Sequence, residues 1–145
     1  MRTFILFGIV AFLLASCAPK ADESKTVQEK DSLKTAPVSV FYFHGERRCP
    51  SCIAIEDETK KVLAENFDPQ VKSGTISFSD INVDLEENAA IAEKYQIAGS
   101  ALLIIKTKDG KEEIADLTGD GFKLARNMPN MFHEKLKTAI DNFLK

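Results

Sequence analysis

Apolar residues form four short strand-like runs between positions 38 and 145. The β-branched and aromatic run at 38–43 suits a buried strand, and the continuous aliphatic run at 101–105 fits a central strand. The segments 75–83 and 113–117 alternate less regularly and predict two further strands. The pattern therefore predicts a sheet of about four strands.

Three other segments place apolar residues at helical spacing among charged ones. Residues 52–67 predict an amphipathic helix, 84–95 a short helix with Asp84 as its N-cap, and 132–144 a closing helix. Because strands and helices alternate, the predicted fold class is α/β: a three-layer sandwich with a mixed central sheet and helices on both faces.

Glycine and proline mark the predicted connections. Pro69 and Gly74 close the unit that begins with the first helix. Asp109-Gly110 is the strongest hairpin signal of the chain and joins the last two strands. Gly119 and Gly121 then separate the last strand from the closing helix.

Size and charge narrow the range of functions. Once the N-terminal segments are set aside, roughly 110 of the 145 residues remain, which is enough for one compact domain and too few for two. Basic residues number 19 and acidic residues 22, the ordinary balance of a soluble domain. This balance argues against nucleic acid as a partner.

The N-terminus has the layout of an export signal. Arg2 precedes an apolar run at 4–14, which is shorter than the roughly 20 residues that a membrane-spanning helix needs. The sequence Leu14-Ala15-Ser16-Cys17 resembles a bacterial lipobox, which implies cleavage before Cys17 and lipidation of that cysteine. The alternative is a conventional cleavage site nearby. We expect a lipoprotein signal peptide at 1–16.

The segment that follows is too polar to form a core. Residues 17–37 are rich in Lys, Asp, Glu, Ser and Thr, which predicts a flexible tether. Several acyl chains on Cys17 give stable membrane anchoring. We therefore expect an exported protein, lipid-anchored to a bacterial cell membrane, whose domain at 38–145 faces the periplasm or the cell exterior.

The candidate chemistry lies in Cys49-Pro50-Ser51-Cys52, between the first strand and the first helix. Cys49 takes the N-cap region and Pro50 the first helical position, where proline suits the geometry. The free N–H groups and the positive end of the helix dipole stabilise a thiolate there. This predicts Cys49 as the nucleophile that attacks a partner's disulfide and Cys52 as the resolving thiol.

Neighbouring side chains are expected to modulate this pair. Arg47 and Arg48 add positive charge next to Cys49. His44 ends the first strand, where it either carries a proton for the dithiol or, more often for such a residue, packs or caps. His133 is expected to be an ordinary surface or packing residue.

Other interpretations of the pair stay open at this point. A static disulfide, or a redox-inactive module that holds a partner, would need no exchange chemistry. A copper or zinc carrier would bind metal through Cys49 and Cys52, with His44 as a third ligand, because one pair supplies only two of the four ligands that structural zinc takes. We expect redox exchange and no metal.

The stretches at 40–52 and 95–105 resemble the thioredoxin family, and most of all the small thioredoxin-like lipoproteins of bacterial envelopes. The resemblance covers nearly all of 38–145. It implies exchange with protein thiols and disulfides through Cys49 and Cys52, without a bound cofactor and with an unidentified redox partner. Reductant, oxidant and isomerase roles all remain open, because the direction depends on relative thiolate stabilisation.

The sequence departs from the family at three points. In the loop that faces the dithiol, Ala101 after Ser100 replaces a cis-proline, and since a cis bond before alanine costs about 3 kcal/mol we expect a trans bond. The chain has no Trp, so the family's tryptophan before the motif is absent. The strand at 38–43 lacks the family's buried carboxylate, so proton transfer to Cys52 must use water, Glu56 or another group.

Overall fold

The computed structural model describes residues 36–145. The predicted signal peptide at 1–16, Cys17 and nearly all of the predicted tether at 17–37 lie outside the described residues. Within 36–145, no helix combines the length and the apolar character that crossing a membrane requires. The elements in chain order are β1 (Val38–His44), α1 (Pro50–Asn66), α2 (Asp68–Lys72), β2 (Ile76–Asn82), α3 (Ala89–Lys94), β3 (Ala101–Lys108), β4 (Lys111–Asp116), α4 (Thr118–Leu124) and α5 (Pro129–Phe143), with a 3₁₀ turn at Glu86–Asn88 before α3.

The four strands form one mixed sheet in the order β2-β1-β3-β4. β1 is parallel to β2 and antiparallel to β3, so it is hydrogen-bonded on both sides. At the end of β1, His44 lies opposite Asn82 of β2, and Phe43 lies opposite Ala101, the first residue of β3. The carboxyl end of β1 therefore lies beside the start of β3, and the cysteine pair lies at this end of the sheet.

β1 is buried on both faces, as its β-branched and aromatic run predicts. Val40 and Tyr42 point into one core and Phe41 and Phe43 into the other. The first core also contains residues of α1, α4 and α5: Ile55, Val62, Leu63, Leu124, Phe132, Leu136 and Ile140. The second core is covered by Ile91 and Tyr95 from the region of α3. Helices thus cover both faces, and the predicted α/β fold class, a mixed four-stranded sheet between helices, is confirmed.

The predicted helix at 84–95 is partly wrong. Asp84 does not cap it; a 3₁₀ turn follows, and α3 is only six residues long. The carboxylate of Asp84 instead accepts the backbone N–H of Glu46, at 2.7 Å. A contact between residues 38 positions apart has taken the place of the local cap, and it ties the loop after β1 to the loop after β2.

Two short helices were not predicted. Pro69 lies in the first turn of α2 rather than ending a unit, since proline fits the first helical positions. Gly119 and Gly121 lie inside α4. A Cβ on Gly121 would come within 3.1 Å of the Ile55 side chain, so glycine is what lets α4 approach α1 so closely. Tertiary packing outweighs the low helix propensity of glycine here.

The predicted hairpin is confirmed, and it lies at the opposite end of the sheet from the cysteine pair. Asp109 and Gly110 connect β3 to β4, and both have positive φ angles, +52° and +73°. Two-residue hairpins with this geometry favour an Asp-Gly pair. β3 runs three residues further than its apolar core, through polar positions that the sequence pattern did not include.

Candidate active site

The predicted start of the first helix is confirmed at atomic detail. Cys49 is the N-cap of α1 with extended backbone angles, φ −79° and ψ 160°, and Pro50 lies in the first turn. The Sγ atom of Cys49 accepts the backbone N–H of Cys52 at 3.1 Å. The sulfur therefore occupies the place of a capping oxygen, directly at the positive end of the helix.

The two cysteines form a disulfide and differ in exposure. Their Cα atoms are 5.0 Å apart. Cys49 is exposed to solvent, whereas Cys52 is only 6% exposed, on the core side of α1. A partner thiol or disulfide can therefore reach Cys49 and not Cys52. This asymmetry fits a nucleophile at the surface with a resolving sulfur behind it, in keeping with redox activity for the pair.

Two hydroxyl groups contact Cys52, one from β1 and one from the loop before β3. The Tyr42 hydroxyl, at the end of β1, donates to the Cys52 carbonyl oxygen at 2.7 Å. The Ser100 hydroxyl, just before β3, lies 3.6 Å from Cys52 Sγ. Burial raises the pKa of Tyr42, so its hydroxyl keeps the proton that it donates. Ser100 thus faces Cys52, and the bond between Ser100 and Ala101 is trans, since residues 36–145 contain no cis peptide bond.

The loop between β1 and α1 is fixed by the Asp84 carboxylate. Besides accepting the Glu46 N–H, this carboxylate lies so close to Gly45 that a Cβ there would approach Asp84 Oδ2 to 3.1 Å. The backbone N–H of Val83 also donates to the His44 carbonyl at 2.8 Å. These contacts hold the residues that lead into Cys49.

The two predicted modulating arginines have different surroundings. Arg47 is exposed. The Arg48 guanidinium forms an ion pair with Glu56 and lies over the Tyr42 ring, 5.5 Å from its centroid. The carboxylate of Glu56 therefore offsets the charge of Arg48 locally, while Arg48 joins the loop before Cys49 to the second turn of α1.

Glu56 is the centre of a buried charge cluster one helical turn beyond Cys52. It is 7% exposed and contacts both Lys60 and Arg48. Burial alone would raise the pKa of Glu56, but hydrogen bonds from Lys60 and Arg48 hold it at about 2. Burial and the nearby Glu56 carboxylate raise the pKa of Asp80, which lies on β2. Sequence reasoning missed Asp80, although a carboxylate that interrupts an apolar strand was a usable signal.

His44 is engaged with other groups than the cysteines. Its Nε2 lies 3.0 Å from Asp80 Oδ1, its Nδ1 lies 2.8 Å from the Gly45 carbonyl oxygen, and its ring stacks on Tyr42. In the part of the chain from 36 to 145, no three His, Cys, Asp or Glu side chains are grouped as metal ligands. The metal interpretation therefore gains no third ligand from His44.

His133, which the sequence assigned to the surface or to packing, bridges two helices. It lies on α5, is partly buried, and contacts the Glu58 carboxylate on α1. It is remote in sequence from the cysteine pair and takes no part in the contacts of Cys49 or Cys52.

Comparison with known proteins gives structural likenesses, among them the two that follow. No protein-family model and no curated protein match the chain. The solution structure of a thioredoxin from Thermus thermophilus is 20% identical, with a TM-score of 0.46, and the match covers 71% of this chain and 73% of that one. A structure of a malarial protein is 17% identical, with a TM-score of 0.41, and the match covers 68% of this chain and 94% of that one. The chemistry of this protein is therefore inferred from its own residues.

Proposed function

We propose that this protein exchanges disulfides with exported protein partners on the outer side of a bacterial cell membrane. The observation that carries the proposal is the position of Cys49, exposed at the N-cap of α1 with its sulfur accepting a backbone N–H. Cys52 lies buried directly behind it. An accessible sulfur at a helix N-terminus with a second sulfur in reach is the arrangement that thiol–disulfide exchange needs.

In the reducing direction, the reduced pair meets a partner disulfide. The Cys49 thiolate attacks one partner sulfur, the partner's S–S bond breaks, and the second partner sulfur leaves as a thiolate that takes a proton from water. Cys52 then attacks Cys49 Sγ, which forms the Cys49–Cys52 disulfide and releases the first partner sulfur. The partner gains two electrons and the pair loses two, so a second redox protein must return two electrons for the next cycle.

The helix contributes most in the first step. Ionised Cys49 gains the free N–H groups and the dipole at the start of α1, whereas the neutral thiol gains little from either. Pro50 sets the helix start without using an N–H group. The two electrons of the exchange come from Cys49 and Cys52, which are oxidised to the disulfide.

Turnover by the full chain tests this function. Purified full-length protein in detergent should reduce the disulfides of insulin with dithiothreitol as electron source. Cys49→Ser should abolish catalysis, and Cys52→Ser should instead accumulate a mixed disulfide with insulin, visible as a band of higher mass that reductant removes. Insulin bound without turnover, or equal turnover by Cys49→Ser, would contradict the proposal and favour a redox-inactive binding module.

The proposed location depends on Cys17 and is tested separately. In bacterial cells fed a labelled fatty acid, the full chain should carry the label and sediment with membranes. Cys17→Ala should lose the label and the sedimentation, while Cys52→Ser, the matched control, should keep both. Labelling that survives Cys17→Ala would overturn the lipid anchor without affecting the exchange chemistry.

A further inference from the structure

The buried sulfur of the pair has its own polar partner. Ser100 Oγ lies 3.6 Å from Cys52 Sγ, within hydrogen-bond range for sulfur. The backbone of the same cysteine is held by the Tyr42 hydroxyl, which donates to its carbonyl oxygen at 2.7 Å. Cys52 is thus held by two hydroxyls, one from β1 and one from the loop just before β3.

The contact at Sγ matters most when the disulfide is open. A disulfide sulfur is a weak acceptor, but a thiolate accepts strong hydrogen bonds. A serine hydroxyl can rotate to donate to it, and a hydrogen bond to the charged form favours that form. We infer that Ser100 is a catalytic residue of the resolution step: its hydroxyl donates to the Cys52 thiolate and keeps it charged beside Cys49.

The alternative is a carboxylate that takes the proton of Cys52, and among residues 36–145 this site has no carboxylate well suited to that role. Glu56 is the nearest candidate along α1, but it already binds Arg48 and Lys60, and these hydrogen bonds hold its pKa at about 2. A carboxylate this acidic is a weak proton acceptor. The charged and titratable groups around this end of the sheet include Arg48 on the loop, Tyr42 and His44 on β1, Glu56 and Lys60 on α1, Asp80 on β2, and Asp84 on the loop after β2.

This inference rests on the proposed exchange function and concerns its second half. Cys52 attacks Cys49 Sγ in the mixed disulfide, the bond between Cys49 and the partner sulfur breaks, and the partner leaves as a thiolate. The attack needs Cys52 deprotonated, and the Ser100 hydroxyl supplies the hydrogen bond that favours this state. Ser100 thus supplies this hydrogen bond from the residue just before Ala101, which stands where the resembled family has proline.

A two-phase reaction isolates this step. The reduced full chain is mixed with 5,5′-dithiobis(2-nitrobenzoate) in a stopped-flow instrument. The first coloured thiolate reports attack by Cys49, and the second reports resolution by Cys52. The second rate is measured from pH 5 to pH 10 for wild type, Ser100→Ala, Ser100→Thr, and the control Ser73→Ala, whose hydroxyl lies in an exposed turn.

The expected signature is a crossing of two pH profiles. Loss of one hydrogen bond to a charged group shifts the ionisation equilibrium of Cys52 about tenfold. In Ser100→Ala less of Cys52 is ionised at low pH, but each thiolate is about threefold more nucleophilic, because the logarithm of nucleophilicity rises by about half of the rise in pKa. Resolution should therefore be about threefold slower than in the wild type at low pH and about threefold faster at high pH. Ser100→Thr and Ser73→Ala should follow the wild type, and the first phase should be unchanged throughout.

Each other outcome is decisive. A pH profile of Ser100→Ala that matches the wild type would overturn the role of the hydroxyl. So would a profile that is slower by the same factor at every pH, because that result indicates only a displaced Cys52 sulfur. If wild type releases one coloured thiolate per chain and no second, the exchange function fails, and this inference fails with it.

Discussion

The two ends of the central sheet are built by different means. At the end that carries the cysteines, contacts run between residues distant in sequence: Asp84 with Glu46, and Ser100 with Cys52. At the other end, Asp109-Gly110 closes the hairpin through its own backbone preference. The hairpin end specifies the strand pairing, whereas the cysteine end combines polar groups into a site for chemistry.

Burial of charge shows the same difference. Glu56 is buried near the cysteines with Arg48 and Lys60 as partners. The strand ends at the hairpin carry exposed Lys108 and Lys111, which need no compensation. Substitutions at the cysteine end should therefore change stability and exchange together, while substitutions at the hairpin should change stability alone.

The largest expected effect on stability comes from Glu56→Gln. A carboxylate held at a pKa of about 2, against a usual 4.5, stabilises the folded state by up to about 3 kcal/mol at neutral pH. Because the folded pKa is the lower one, this contribution is present above pH 4.5 and is lost as the pH falls towards 2. The variant should lose up to about 3 kcal/mol in urea unfolding at pH 7 and much less near pH 2.

Two other carboxylates, Asp80 and Glu65, bear on the unfolding measurement of Glu56→Gln. Asp80 acts in the opposite sense, since its raised pKa favours the folded state at low pH and this contribution is lost as the pH rises through it, so the net acid sensitivity is smaller than that of Glu56 alone. Glu65→Gln, on an exposed position of α1, is the matched control and should be nearly neutral. Equal effects of the two substitutions would contradict the buried cluster.

The second effect concerns the two tyrosines of the chain. Tyr42→Phe removes the buried hydroxyl that donates to the Cys52 carbonyl oxygen and should lower the free energy of unfolding by about 1–1.5 kcal/mol. Tyr95→Phe removes an exposed hydroxyl that contacts Glu112 and should cost less than about 0.5 kcal/mol. Urea unfolding at pH 7 compares them, and a larger loss for Tyr95→Phe would reverse the assignment.

The sequence predicted the elements whose signals are local. The helix start at Cys49-Pro50 and the turn at Asp109-Gly110 follow from caps and backbone angles, and both are confirmed. The prediction of a local cap at Asp84 is wrong because the actual partner of this carboxylate, Glu46, lies 38 positions away. No periodicity encodes such a contact.

The missed helices have the same physical origin. From the sequence, Pro69 predicts the end of a unit, but in the structure it lies in the first turn of α2. Proline is common both after a helix ends and in the first turn of the next one. Gly121 lowers helix propensity but lets α4 pack on Ile55, a gain visible only once α1 is in place. Likewise, Arg48 next to Cys49 indicated free positive charge, whereas the fold pairs it with Glu56.

The smallest effect belongs to the hairpin end. Gly110 has a φ angle of +73°, so Gly110→Ala should lower the free energy of unfolding by about 1 kcal/mol. Gly119→Ala, in the first turn of α4, should be neutral or stabilising, because the added methyl group would meet no other atom within 4 Å. Insulin reduction should be unchanged in both variants, and a change in Gly110→Ala would show that the two ends are coupled.

The central claim is that the start of α1 makes Cys49 an easily ionised nucleophile. The most direct test is the rate at which iodoacetamide alkylates Cys49 in the reduced full chain as a function of pH, with the modified residue identified by mass spectrometry. We expect the midpoint to lie well below the pKa of about 8.5 for free cysteine. A midpoint at or above that value would contradict the account.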